Sequence, residues 1–152
     1  MSERILITLW GLCLTTAVAA AAEPAPLFPF VLPWDDASPG ITDLSGWLPK
    51  PAGKFGPVRV GLGGHFYTGD RRLRLNGIDL AFSAAFPTHD QADKVTVRLA
   101  KFGNNIVRFH IMDMRHFPNG LLAQHAKDTR TFEPEALDRL DYFTAQLIQH
   151  GV

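Results

Sequence analysis

Residues 104–113, with the sequence NNIVRFHIMD, constrain the fold more than any other stretch of the chain. The pattern is typical of a buried strand that ends in polar groups. Side chains alternate along a strand, so Ile106, Arg108 and His110 share one face and the opposite face is wholly apolar. A guanidinium and an imidazole are costly to bury without partners. The stretch therefore fits a strand that leads into an active site, and it also fits a half-exposed edge strand with solvated polar groups.

Helix patterns lie on both sides of this stretch. A capping box starting at Thr88 and a stop at Gly103 predict a first helix. Pro134 at a first helical position and Gly151 as a stop predict a second. The apolar face of the first consists of Ala92, Val95, Leu99 and Phe102, and that of the second of Ala136, Leu140, Phe143 and Leu147. Successive strand–helix units with short connections predict an α/β fold with a parallel sheet.

The region before the first helix divides into two parts. Residues 23–54 are rich in proline and aromatic residues, which predicts an irregular arm without a long helix or central strand. We expect Trp34 and Trp47 in this arm to pack against the domain, with stacking on a sugar ring as the alternative. Residues 55–82 alternate between short apolar runs and glycine turns, which predicts a β-hairpin followed by a strand at 78–82.

The first 22 residues have the pattern of a secretory signal peptide. A positive charge at Arg4 precedes an apolar run that ends in Ala20-Ala21-Ala22, and we expect cleavage after Ala22. The sequence therefore predicts a secreted or periplasmic protein with no membrane segment after cleavage. Removal of Cys13 would leave the mature chain without cysteine. With 15 basic and 15 acidic residues and no evident basic patch, nucleic acid is not expected as a partner.

The order and spacing of four segments carry a resemblance to a known family. The segments are residues 42–56 as an entry segment, 65–80 as a hairpin running into a strand, 99–110 as a helix and strand, and 137–152 as a helix reaching a further strand. Together they resemble the N-terminal part of cellulase-type glycoside hydrolases, the clan of TIM (β/α)8-barrel enzymes that includes the family-5 glycosidases. The hairpin then corresponds to the plug at the barrel bottom, before the first barrel strand.

The resemblance implies an exported enzyme that hydrolyses O-glycosyl bonds in poly- or oligosaccharides and needs no cofactor. In such enzymes an arginine at the end of strand two hydrogen-bonds the nucleophilic carboxylate, which corresponds to Arg108. A guanidinium beside a carboxylate keeps it ionised and oriented. His110 would line the sugar subsite, and Asp113 and His116 would add contacts from the loop at 114–133, which is long enough to suggest a functional role.

The chain departs from the family in its carboxylates. Retaining glycosidases use two carboxylates about 5 Å apart, which in this clan are glutamates ending strands four and seven. The chain reaches Val152 before strand three, whereas a full barrel takes about 250 residues. Glu133 follows Phe132 and opens a helix, so it does not match the catalytic acid. We therefore expect an N-terminal portion of the enzyme that is inactive alone.

Two alternatives remain open on the sequence. One is a non-catalytic carbohydrate-binding or structural domain that would use Trp34, Trp47 and Tyr67 as stacking platforms. The other is a metal-dependent hydrolase. Its ligands would be His110, Asp113 and His116, which lie three residues apart, although loop spacing alone does not fix coordination geometry.

Overall fold

The computed structural model describes Pro26, Leu27, Pro29 and residues 31–152. The predicted signal peptide lies outside the described residues. The chain divides into two compact units, Met1–Val31 and Leu32–Val152, and the described residues of the first form no helix or strand. In the described part of the chain, no helix combines the length and apolar character needed to cross a membrane. The second unit contains all the helices and strands of the described residues.

The predicted hairpin is present as a three-stranded antiparallel sheet. Its strands are β1 (Val58–Val60), β2 (Phe66–Thr68) and β3 (Arg71–Arg72), in the order β1-β2-β3. The return strand β3 is only two residues long. Leu73 still donates its N–H to Phe66 at 2.8 Å, but the carbonyl of Arg74 accepts from the Asn105 side chain at 2.7 Å instead of from the hairpin. The backbone therefore leaves the hairpin at this point.

A parallel β-α-β unit follows the hairpin and places the fold in the α/β class. It consists of β4 (Gly77–Ala81), α1 (His89–Lys101) and β5 (Ile106–His110). The two strands pair in parallel from Gly77 opposite Ile106 to Ala81 opposite His110. The stretch that we identified as the key strand is thus β5, joined by a helix to its neighbour.

Helix α1 begins and ends as the sequence predicts. Thr88 Oγ1 accepts the N–H of Gln91 at 3.3 Å, and the Gln91 side chain accepts the N–H of Thr88 at 3.1 Å. Gly103 follows the helix with a φ of 70°, a conformation in which glycine avoids the Cβ penalty. The prediction that Phe102 belongs to the buried stripe is wrong. Phe102 is the C-cap, 41% exposed, because the helix has already ended and its ring lies under the Arg98 guanidinium at 4.9 Å.

Helix α2 (Pro134–His150) packs on α1 and completes the core. Pro134 occupies the first turn, and Gly151 caps the end with a φ of 84°. Leu140 is only partly buried, whereas the other three members of the predicted stripe are buried. The core comprises Ala92, Leu99, Phe143 and Leu147, with Leu80, Val107 and Phe109 packed against it. One face of the two-stranded sheet is therefore covered by both helices.

Polar contacts join the arm to α1. The Lys101 ammonium, only 8% exposed, bonds the Asp36 carboxylate and donates to the carbonyl of Ser38 at 2.8 Å. Arg98 donates to the carbonyl of Pro33 at 2.6 Å. The bonds to Lys101 and Ser38 hold the pKa of Asp36 well below its usual range. A buried lysine is stable here because the arm supplies an opposite charge and carbonyl acceptors.

The aromatic side chains of the arm contribute less to this attachment than the sequence predicts. Trp47 is 81% exposed and Trp34 is 52% exposed. The packing prediction is therefore wrong for Trp47, which lies at the end of a short 3-10 turn (Ser45–Trp47) without buried residues. Trp34 has the Lys94 ammonium 6.0 Å from its ring. Within the arm, the irregular backbone places both indoles at the surface.

Candidate functional site

Three polar side chains form a row on the open face of the parallel sheet. Asp79 and Arg108 are register partners, so they project from the same face. Arg108 Nη1 lies 3.6 Å from Asp79 Oδ2, and Arg108 Nη2 lies 3.0 Å from His110 Nδ1. We call Asp79, Arg108 and His110 the polar row. It runs toward the carboxyl ends of both strands.

The contact between Arg108 and His110 fixes the tautomer of the imidazole. A guanidinium only donates hydrogen bonds, so Nδ1 of His110 must accept. In this contact the ring N–H of His110 lies on Nε2. Nε2–H remains as a donor, able to bond a hydroxyl or a carboxylate oxygen of a ligand.

The polar row adds little to the stability of the fold. The side chains of Arg108 and Asp79 are 67% and 49% exposed. An ion pair this exposed is screened by water and contributes at most about 1 kcal/mol. Its charges remain accessible from solvent, so the row can serve a ligand, and substitutions within it should leave the core intact.

Strained backbone follows directly after both strands. Phe82, the residue after β4, has a φ of 54°, and Ile111, the residue after β5, has a φ of 55°. Such a conformation costs about 1–3 kcal/mol for a residue other than glycine, and the strain is greatest for the β-branched Ile111. Strain of this kind clusters at functional sites. Both residues lie at the carboxyl edge of the sheet, next to the polar row.

The loop after β5 is ordered by its own hydrogen bonds. Leu121 donates to Met112 at 2.8 Å, which brings the loop back beside its start. Leu122 pairs with Phe132 as an isolated antiparallel bridge. The side chain of Asp128 accepts the N–H groups of two following residues, and this lowers its pKa.

Of the four predicted site residues, the structure joins two. Arg108 and His110 are bonded to each other, whereas Asp113 and His116 are exposed in the loop. Among the described residues, no hydrogen bond or ion pair connects these two loop side chains to the polar row. Nor does any group of three His, Cys, Asp or Glu side chains in the described chain converge to hold a metal ion. Within the part of the chain that the structure describes, His110, Asp113 and His116 therefore do not form the ligand set of the metal-dependent alternative.

Asp79 is the member of the polar row that sequence reasoning missed. In the strand Gly77–Ala81, alternation puts Asp79 on the opposite face from Ile78 and Leu80. The sequence alone could therefore have indicated that Asp79 is a polar residue on the open face of the sheet. Its partnership with Arg108 depends on the parallel register between two strands that are separated by a helix. That register is a tertiary property, which the sequence pattern does not display.

Comparison with known proteins adds no relative. No family model matches the chain, and no curated protein or solved structure matches it.

Proposed function

We propose that the chain is the N-terminal portion of an exported glycoside hydrolase that cleaves O-glycosyl bonds in poly- or oligosaccharides. The observation that carries the proposal is the polar row, which runs from the middle of the two strands of a parallel β-α-β unit to His110 at the carboxyl end of β5. In α/β proteins with parallel strands, ligands bind at this end of the sheet. In this proposal β4, α1, β5 and α2 are the first two units of a TIM barrel, and the hairpin precedes its first strand.

The proposed chemistry assigns a distinct role to each member of the polar row. Arg108 holds the catalytic nucleophile, a carboxylate, ionised and oriented through charge-assisted hydrogen bonds. Asp79 orients the guanidinium from the neighbouring strand, at 3.6 Å. His110 donates from Nε2 to a sugar hydroxyl, and Asp113 and His116 supply further contacts to the substrate. The nucleophile and the acid/base are the glutamates that the family places after strands four and seven.

Reading the coding sequence beyond the codon for Val152 tests the proposal first. We expect a continuation, in frame or after a frameshift, that encodes strands three to eight with one glutamate after strand four and one after strand seven. Unrelated sequence at this position would overturn the proposal.

The activity of the longer protein encoded by this continued sequence, which we call the extended product, provides the second test. We expect Arg108→Ala to lower kcat on its glycan substrate by about 100- to 1000-fold, the usual effect of removing one electrostatic contact made in the transition state. Arg130→Ala is the matched control, since its side chain is 88% exposed in the loop. Circular dichroism should show both variants folded. Equal activity of the two variants would contradict the role given to Arg108.

The exposed indole of Trp47 favours a second candidate, a non-catalytic carbohydrate-binding domain. Exposed aromatic rings provide platforms for sugar rings, and Trp47 is 81% exposed. Tyr67 is a weaker platform, because its ring lies so close to Gly61 that a Cβ there would meet it at 2.5 Å. This candidate predicts that the chain alone unfolds cooperatively as a monodisperse monomer and binds glycans, and that Trp47→Ala abolishes binding. Glycan binding that is insensitive to Trp47→Ala would exclude it.

A further inference from the structure

A groove rich in cations lies at the opposite end of β5 from the polar row. Its walls are the arm at 46–49 and 54, the hairpin region at 55, 68 and 71–74, and Asn105, the residue before β5. Its volume is about 430 Å³. No acidic residue lines the groove in the described chain. Four of its lining side chains are cations: Lys54, Arg71, Arg72 and Arg74. We call this feature the cationic groove.

The four cations of the groove lack acidic partners. In the part of the chain that the structure describes, no carboxylate lies within 4.0 Å of any of them, and Asp70, the nearest acidic residue in sequence, instead contacts Arg59 at 3.5 Å. The whole chain has equal numbers of basic and acidic residues, so the excess of positive charge is local. Like charges held close together repel, and an anionic ligand would relieve this repulsion.

Two of the arginines are held in place by neighbouring side chains. The Arg71 guanidinium lies 4.3 Å from the centre of the Phe55 ring, a cation–π contact. Arg72 Nη2 lies 3.2 Å from His65 Nδ1. Side chains fixed in this way lose less conformational entropy when a ligand binds. The groove therefore presents partly pre-organised guanidinium groups, which suit bidentate binding of carboxylate and tetrahedral oxyanion groups.

We propose that the cationic groove binds an acidic polysaccharide, a chain of sugars that carry carboxylate or sulfate groups. The choice of a saccharide depends on the proposed function, whereas the choice of an anion depends only on the groove. Trp47 lines the groove and is largely exposed, so it can stack on a sugar ring while the guanidinium groups bind the acidic substituents. The ligand is held at the end of the sheet away from the polar row.

The aromatic content of the groove favours a saccharide over single-stranded nucleic acid. Nucleic acid is bound on several aromatic rings, each stacked on a base. In the groove, the Phe55 ring is covered by Arg71, which leaves Trp47 as the exposed ring among the described lining residues. One platform combined with four cations suits a chain with regularly spaced acidic groups.

Binding titrations of the full chain test the proposal. The probes are polygalacturonate, heparin, neutral hydroxyethyl cellulose and a single-stranded oligonucleotide matched to heparin in charge. We expect polygalacturonate or heparin to bind more tightly than the other two, with an affinity that falls as salt rises, because exposed charges are screened. The probe of these two that binds more tightly shows whether the groove prefers carboxylate or sulfate groups. Oligonucleotide binding as tight as that of the better acidic glycan would overturn the proposal.

A matched pair of double variants locates the site. Arg71→Gln with Arg74→Gln removes two charges from the groove, and Lys127→Gln with Arg130→Gln removes two from the exposed loop. We expect the first pair to weaken binding of the acidic glycan by about tenfold or more, since charge-assisted contacts are lost, and the second pair to have little effect. An equal effect of the two pairs would overturn the proposal.

The outcome is separable from that of the proposed hydrolase activity. Binding of acidic glycan that depends on Arg71 and Arg74 supports the groove even if the extended product hydrolyses no glycan. Conversely, hydrolysis that depends on Arg108, in a protein that binds no acidic glycan, supports the hydrolase and overturns the groove.

Discussion

Thr96, in the middle of α1, offers a direct test of how the core is stabilised. The residue is fully buried, and its hydroxyl Oγ1 has no hydrogen-bond partner among the residues that the structure describes. A buried hydroxyl without a partner costs about 1–3 kcal/mol. Valine keeps the branched shape and replaces the hydroxyl with a methyl group, and its helix propensity is similar. We therefore expect Thr96→Val to raise the free energy of unfolding by about 1–2 kcal/mol.

Urea denaturation measures this effect. With a slope of about 2 kcal/mol per M, typical of a small domain, a gain of about 1.5 kcal/mol moves the midpoint upward by about 0.7 M. Thr144→Val on the exposed face of α2 is the matched control and should stay within about 0.5 kcal/mol of the parent. Thr96→Ser retains the hydroxyl and loses the methyl group, so it should destabilise. A lower midpoint for Thr96→Val would refute the reasoning, because it would mean that the hydroxyl is hydrogen-bonded.

Three further substitutions test the arm, the contact between the helices and the end of α2. Lys101 holds the pKa of Asp36 below its ordinary value of 3.8. The ion pair therefore stabilises the folded state above pH 3.8, and this contribution is lost as the pH falls. The stability difference between the parent and Asp36→Asn should therefore be full at pH 6 and shrink below about pH 4 in urea titrations. The Tyr142 hydroxyl donates to Asp93 at 2.9 Å, which raises the pKa of Tyr142 above 10.0. The free energy by which the parent is more stable than Tyr142→Phe should therefore persist at pH 8 and diminish above pH 10. A difference that stays constant with pH would contradict this linkage. Gly151→Ala should lower the free energy of unfolding by about 1–3 kcal/mol, since its φ is +84° and a Cβ would lie 2.7 Å from a backbone carbonyl; an unchanged thermal midpoint would show that the helix end relaxes freely.

The sequence predicts the helices of this chain well because their signals are local. The capping box at Thr88, the proline at the start of α2 and the glycine after each helix act within one turn of the chain. Phe102 shows the limit of this reasoning. Its spacing continues the apolar stripe of α1, but the helix ends one residue earlier, at Lys101. Periodicity therefore places a residue correctly only while the backbone that carries it remains helical.

Predictions that depend on distant contacts were less successful. The sequence shows no evident basic patch, whereas in the structure Lys54 from the arm and the arginines of the hairpin line one groove. Three of the four cations lie within residues 71–74 and could have been noticed in the sequence. The exposed position of Trp47 could not, since it depends on the tertiary placement of the irregular arm. Asp79 and Arg108 likewise meet only through the pairing of β4 with β5.

The two faces of the parallel sheet separate stability from function. Leu80, Val107 and Phe109 pack against the helical core, and this burial supplies the main favourable term in folding. Asp79 and Arg108 project from the opposite face, where their exposed ion pair contributes little. A chain selected for stability alone would have no need of a guanidinium and an imidazole bonded to each other beside two strained residues. The cost of that strain, at Phe82 and Ile111, must be offset by the core, and strain at this position agrees with the ligand site that we propose at the carboxyl end of the sheet.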